Sequence, residues 1–277
     1  SDHLYEVTGS THWRLGREIP ETELVGARVT DHRLEVAFDP ETRTVRITDR
    51  ARYDTRPAKW PCALFRLNEY FQVSGVAADG KKVPFERAGG FLAVDRPPSD
   101  SSVLTATYTA SLPTTGETFL TDSEAALTSY WYLHTARLPA TSRITVVTPQ
   151  DWYGIGPGNR TSEQTGASRR ITRWNNALPV SYLTVAAGRY TRTSRDADGI
   201  QVEAWLLKHT PERARSIIDE AATAIRFFGE RLSPFPYSRY AVVESRVFPP
   251  GLEAYSFTLV GSANLPGVIA HEVSHTW

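Results

Sequence analysis

The sequence predicts a mainly β N-terminal domain, an antiparallel saddle or sandwich over residues 1–190, followed by the opening portion of an α+β domain over residues 191–277. Three observations carry this. Short strand-like runs, punctuated by Gly, Pro, Asn and Asp clusters, fill the first part with no helical period between them. The first apolar stripe at helical spacing begins only after Thr210. The chain then closes on His271-Glu272-Val273-Ser274-His275-Thr276-Trp277, a pattern that belongs on a helix.

The N-terminal elements follow from alternation. Residues 32–38 place Leu34, Val36 and Phe38 on one face, and Asp39-Pro40-Glu41-Thr42 supplies a turn. Residues 44–48 return with Val45 and Ile47 inward, which completes a hairpin. Runs at 63–67, 70–73, 91–94, 103–108, 143–147, 168–174 and 182–187 predict further strands. No internal repeat or low-complexity segment interrupts them.

Thr210-Pro211-Glu212 is a helix start, with Thr as N-cap, Pro at the first helical position and an acid in the first turn. Ala214, Ile217, Ile218, Ala221, Ile225, Phe228 and Leu232 form one stripe, read as core packing, and Ser233-Pro234 ends it. The second domain is therefore expected to begin near residues 190–210. A strand follows at 241–243. The segment after Phe248 contains Pro249 and Pro250, which remove two backbone donors, so it suits a sheet edge. Leu265-Pro266-Gly267 leads into Val268-Ile269-Ala270, the apolar opening of the motif helix.

Composition bounds the function. The 31 acidic and 31 basic residues cancel, so no polyanion partner is implied and nucleic-acid binding is disfavoured. Cys62 is the sole cysteine, which excludes an internal disulfide; it fits a cytoplasmic or an exported protein, with the cytoplasm as the expectation. No apolar run reaches the roughly 18–20 residues of a membrane span. There is no methionine, so Ser1 is expected to be a processed or engineered end.

The closing motif carries the chemistry. Seven histidines and eighteen glutamates placed at random would produce H-E-x-x-H about 0.01 times in this length. On a helix, His271 and His275 point from one face and can bind one Zn²⁺, while Glu272 can act as general base toward water. The reaction implied is hydrolysis of an amide or ester. A catalytic zinc usually takes three protein ligands. His3, His12, His32 and His134 lie in strand or loop stretches and His209 stands just before the helix, so none pairs at ligand spacing. The third ligand is expected outside these residues, which makes the chain a fragment that binds zinc weakly and has little activity alone. Glu253, on an extended edge beside the motif helix, is a candidate for binding a peptide's α-ammonium, with a solvated edge charge as the equal alternative. Phe248, Tyr255 and Trp277 are read as packing.

In this order the features resemble the M1 family of zinc aminopeptidases of the gluzincin clan. The matching pieces are His32–Asp39 with Pro-Glu-Thr-Arg-Thr-Val-Arg-Ile after it, Leu178-Pro-Val-Ser-Tyr-Leu-Thr-Val-Ala-Ala-Gly188, Phe235-Pro-Tyr-Ser-Arg-Tyr240, Gly251-Leu-Glu253 and Val268-Ile-Ala-His-Glu-Val-Ser-His275. The resemblance implies an N-terminal β-sheet domain before a thermolysin-like catalytic domain, here represented by its N-terminal portion. It implies one zinc per complete catalytic domain, held by His271 and His275, with Glu272 as base. Gly251 and Glu253 would bind peptide substrates at a free N-terminus. Pro250, Leu252 and Ala254 depart from the family's G-x-M-E-N motif. The family's remaining zinc ligand and its transition-state tyrosine would lie beyond Trp277, in the missing C-terminal part of the domain.

Three alternatives stay open. Gly251-Leu-Glu253 and His275-Thr-Trp277 also resemble the M61 glycyl-aminopeptidase family, with the same chemistry. A non-catalytic scaffold with M1-like architecture is the reading from another class, although His271, Glu272 and His275 are all intact. An epoxide hydrolase-like activity, which also occurs on M1-like scaffolds, is the third.

Overall fold

Alternating burial builds the largest sheet around strands β1 (Ala27–Asp39) and β2 (Thr44–Thr55). The structure is a computed structural model that describes residues 27–55, 62–95, 101–135, 138–248, 251–262 and 268–277. Leu34, Val36 and Phe38 on β1 and Val45, Ile47 and Ala51 on β2 are all buried, because period-two geometry sends one set of side chains inward. Asp39 Oδ1 accepts the Glu41 N–H at 3.2 Å in the connecting turn. This sheet runs β13 (Asn159–Thr165), β14 (Arg169–Val180), β11 (Ala140–Pro149), β1, β2, β8 (Ser101–Ser111), β4 (Gln72–Ala78) and β5 (Lys81–Lys82). Its pairs are antiparallel except β1 with β11, which are parallel.

Two smaller antiparallel sheets cover its inner face. One contains β3 (Cys62–Arg66), β7 (Phe91–Asp95) and β6 (Phe85–Ala88). The other contains β12 (Tyr153–Ile155), β15 (Val185–Gly188), β10 (Glu124–Leu127) and β9 (Phe119–Leu120). Phe38, Ile47 and Tyr53 of the large sheet share one core with Phe65, Leu92, Phe119 and Trp131. The described residues are thus mainly β, as the strand-rich sequence predicts.

A fourth sheet of mixed direction starts at Thr191. It runs β16 (Thr191–Ala197), β17 (Ile200–Leu206), β18 (Arg239–Ser245), β20 (Phe257–Gly261) and β19 (Gly251–Glu253), with β17, β18 and β20 parallel and β19 at an edge. The β16–β17 hairpin, absent from the sequence reading, turns at Asp198-Gly199 with φ of 56° and 82°. Both residues then lie in the left-handed region, as a tight hairpin turn requires. β16 is largely exposed and carries no apolar alternation that would reveal it.

Helix α1 (Pro211–Arg231) lies against this sheet, and α2 (Val268–Ser274) follows β20. Thr210 Oγ1 accepts the Arg213 N–H at 3.2 Å, so Thr210 caps α1 as its side chain suggests. Ala214, Ile217, Ile218, Ala221 and Ile225 are buried, and they pack with Val202, Tyr240 and Val242 and with Ile269 and Val273 of α2. Leu232, the last member of the predicted stripe, is instead the C-cap and is 63% exposed.

A buried brace ties the fourth sheet to the large one. Arg239 on β18 donates from Nη2 and Nε to Glu203 Oε2 at 3.0 and 3.2 Å, and from Nη1 to the Gly158 carbonyl at 3.2 Å. Its guanidinium lies 4.6 Å from the Trp174 ring centre. Ser256 Oγ accepts the Gly158 N–H at 2.7 Å. Trp205, Ala241, Val243 and Leu259 also join the large core, so apolar packing is continuous from the first sheets into the fourth. No helix among the described residues is long and apolar enough to cross a membrane.

Candidate metal centre

Helix α2 presents two faces with different tasks. Ile269 and Val273 are fully buried against α1 and fix the helix in place. The N–H groups of His275, Thr276 and Trp277 reach the carbonyls three residues back at 3.3, 3.1 and 3.3 Å, so the helical path continues in tighter turns past Ser274. His271 and His275 consequently stack one turn apart on the exposed side. Their Nε2 atoms are 3.2 Å apart, with ring centres at 4.9 Å and planes at 82°. Two imidazoles bound to one tetrahedral zinc at about 2.0–2.1 Å would hold their nitrogens about 3.3 Å apart. The observed pair fits that spacing.

Glu272 lies beside them, against β19, and is 6% exposed. Its Oε2 is buried with no hydrogen-bond partner among the described residues. Burial raises its pKa, the nearby Glu253 carboxylate raises it further, and His271 and His275 pull it down. An orphaned buried carboxylate oxygen beside two imidazole nitrogens is the setting in which a divalent cation relieves a cost, so the donor set fits zinc. Gly251 makes this placement possible. A Cβ there would stand 2.9 Å from Glu272 Cδ and 3.0 Å from Val268 Cγ1, and would collide with Glu272 Oε1.

Glu253 lies on the edge strand β19, opposite Thr258 of β20. One donor atom each from Glu253, Glu272 and His275 fall within 4.8 Å of one another. The turn after β19 is held at several points. Tyr255 adopts φ of 67°, unusual for a residue with a side chain. Its carbonyl accepts the Thr276 hydroxyl at 3.1 Å, and its hydroxyl accepts the Ser181 N–H at 3.1 Å. The Tyr182 hydroxyl donates to the Glu253 carbonyl at 3.2 Å, and the Tyr182 and Tyr255 rings are 4.9 Å apart. Burial, reinforced by Glu253, pushes the Tyr182 phenol well above its ordinary range, so it remains a donor. Beside Glu253 opens a cavity of about 220 Å³, lined by Tyr130, Tyr132, His134, Tyr182, Thr184 and Leu252.

The other sequence candidates go elsewhere. His32 is buried and its Nδ1 is 3.0 Å from Asp49 Oδ1. His209 Nε2 is 2.9 Å from the Thr193 hydroxyl, and His134 lines the cavity. His3 and His12 lie outside the described residues. Phe248 is buried in the large core. Trp277 stands 5.5 Å from Phe235 and 5.7 Å from Phe228, and its indole donates to the Ser233 carbonyl at 2.7 Å. The structure thus brings His271, His275, Glu272, Glu253 and Gly251 together. The cavity residues Tyr130, Tyr132 and Tyr182 were missed, because nothing in their local sequence links them to a helix over 80 residues later.

No protein-family model matches the chain. Solved structures do. A mutant M1 zinc metallopeptidase from Deinococcus radiodurans has 16% identity and a TM-score of 0.76, over 92% of this chain and 65% of that one. The same mutant bound to a Tyr-Ser-Ala substrate has 17% identity and a TM-score of 0.73, over 92% and 65%. A two-domain M1 zinc metallopeptidase mutant bound to L-arginine has 17% identity and a TM-score of 0.76, over 91% and 64%. The chain therefore spans about two-thirds of the length of these proteins, up to 65%. Over the 91–92% of its length that these structures cover, it has the fold of the M1 zinc metallopeptidases.

Proposed function

We propose that the chain belongs to the M1 family and carries the β-region and zinc helix of an aminopeptidase. The observation that carries this reading is the convergence of two imidazole nitrogens 3.2 Å apart with a buried, unpartnered carboxylate between them and an edge strand. His271 and His275 would hold the zinc. When bound, that ion supplies a Lewis acid that lowers the pKa of water and polarises a carbonyl. His32 and His209 are engaged elsewhere, and the resemblance to the M1 family implies a third protein ligand beyond Trp277.

Each remaining residue has a task of its own. Glu272 Oε would take a proton from water and hold it for the leaving amine. The exposed edge of β19 would align a peptide in extended form by backbone hydrogen bonds. Glu253, 4.8 Å or less from the Glu272 and His275 donor atoms, would bind the α-ammonium group, which limits cleavage to the first residue. Tyr182 would hold the Glu253 backbone at the correct height. The Tyr-Ser-Ala substrate and the L-arginine found on the structural neighbours both carry a free α-amino group, consistent with this role.

A second reading is favoured by the same grouping: Glu253 could itself ligate the metal with His275. One set of variants separates the two and tests the whole. In the complete protein, Glu272→Gln keeps zinc and loses most turnover on aminoacyl amides. Glu253→Ala keeps zinc and loses activity on free-amino substrates more than on N-blocked ones. Near-normal turnover of Glu272→Gln would remove the base assignment, and zinc loss in Glu253→Ala would establish the second reading.

A further inference from the structure

The outer face of the eight-stranded sheet carries a cluster of exposed arginines although the chain as a whole is neutral. Three arginines stand in one row across adjacent strands: Arg50 of β2 opposes Arg33 of β1, which opposes Arg143 of β11. All three are exposed. Arg46 and Arg52 extend the basic line along β2, and Arg173 on β14 opposes Thr145 one step from the row. Like charges directly opposite one another weaken a sheet, so this row is a local cost to the fold.

The row is poorly neutralised. Asp31 and Glu35 are the carboxylates on the same stretch of β1, and among the described residues the sole ion pair they make is a long one, Arg33 Nε to Asp31 Oδ2 at 3.7 Å. Arg50 and Arg143 have no ion pair among the described residues. Among the described residues the Arg173 guanidinium bonds only the neutral Ser162 and Gln164 side chains, each at 3.3 Å. Between the arginines lie Thr48, Thr145 and Asn175, and the depression they share has a volume of about 570 Å³.

We propose that this face is a docking surface for an extended acidic polypeptide segment, one bearing several Asp or Glu side chains. Guanidinium forks match carboxylates in two-point contacts, and the intervening hydroxyl and amide groups can take the remaining lone pairs. Four adjacent strands from β2 to β14 span about 14 Å, which an extended chain covers with about four residues. The chemistry of the face disfavours two other anions. Single-stranded nucleic acid binds through exposed aromatic side chains, and the aromatic ring that lines this depression, Trp174, is buried. A lipid surface would also need such side chains for insertion.

The test is fluorescence anisotropy of a labelled deca-glutamate peptide titrated with the chain, beside a ten-base single-stranded DNA and vesicles of phosphatidylserine in phosphatidylcholine. The expected result is saturable peptide binding that weakens with salt. The triple variant Arg33→Thr, Arg50→Thr, Arg143→Thr should bind roughly tenfold or more weakly. Because that variant removes opposed like charges, its thermal midpoint should match or exceed the wild type. Arg195→Thr with Arg226→Thr, exposed elsewhere, should leave binding unchanged. As a milder variant, Arg50→Lys keeps the charge without the fork and should weaken binding less than the triple change. No saturable peptide binding, equal binding by the triple variant, or tighter binding of the DNA or vesicles would overturn the proposal.

Discussion

Gly251 is the residue whose smallest change should do most at this centre. Replacing it with Ala introduces a Cβ 2.9 Å from Glu272 Cδ and 3.0 Å from Val268 Cγ1, in collision with Glu272 Oε1. Unstrained carbon contacts lie near 3.5–4.0 Å, so the carboxylate must move by up to about 1 Å or β19 must lift from α2. Overpacking of this kind costs about 1–3 kcal/mol. The cost to chemistry should exceed the cost to the fold, because a displacement of about 1 Å in a positioned group can reduce rate about 100-fold. The assay is turnover of an aminoacyl anilide by the complete protein, with zinc content and a urea unfolding curve on the same sample. The expected outcome is full zinc, a modest loss of stability and a turnover loss of one to two orders of magnitude. Wild-type turnover in Gly251→Ala would refute the claim that a glycine is needed to seat Glu272.

Other consequences follow from buried charge. Arg239→Ala would leave the Glu203 carboxylate, which is 4% exposed, with the Trp205 indole at 2.9 Å and Arg192 at 3.9 Å, and the Gly158 carbonyl with the Ser256 hydroxyl alone among the described residues. It should cost about 3–5 kcal/mol in urea unfolding, with Arg239→Lys recovering only part. Glu124, 1% exposed, has its pKa raised by burial, while Oε1 accepts the Arg246 N–H at 2.9 Å and Oε2 has no partner among the described residues. The folded state therefore holds this proton more tightly than the unfolded chain. Its contribution to stability is greatest in acid and declines as pH rises above the ordinary carboxyl value of 4.5 through the higher folded value. Glu124→Gln should flatten that decline in thermal midpoints measured from pH 4 to 8; an unchanged pH profile would contradict the assignment.

Much of this was legible in the sequence because the signals were local. The alternation of Leu34, Val36 and Phe38, the Thr210 cap and the spacing of His271 and His275 each specify geometry within a few residues. Leu232 failed as a core residue because the helix ends there, and a cap position faces solvent whatever its side chain. The Asp198-Gly199 hairpin is marked by its turn, but its first strand, β16, carries no apolar alternation to confirm it. The parallel pairing of β1 with β11 depends on a return over more than a hundred residues, which no local pattern encodes. Likewise Gly251 reads in the sequence as a substrate-binding residue, while its packing against Glu272 is visible only with β19 and α2 side by side. The wall of Tyr130, Tyr132 and Tyr182 beside Glu253 is a tertiary fact of the same kind.

The central claim is that His271 and His275 jointly hold one zinc. Zinc titration of the complete protein, followed by elemental analysis after gel filtration, tests it most directly when the His271→Ala, His275→Ala double variant is run in parallel. The expected result is saturation at one zinc per chain for the wild type, lost as the pH falls and the imidazoles protonate, and no stoichiometric uptake by the double variant. Equal zinc uptake by both proteins, or none by the wild type at any zinc concentration, would contradict it.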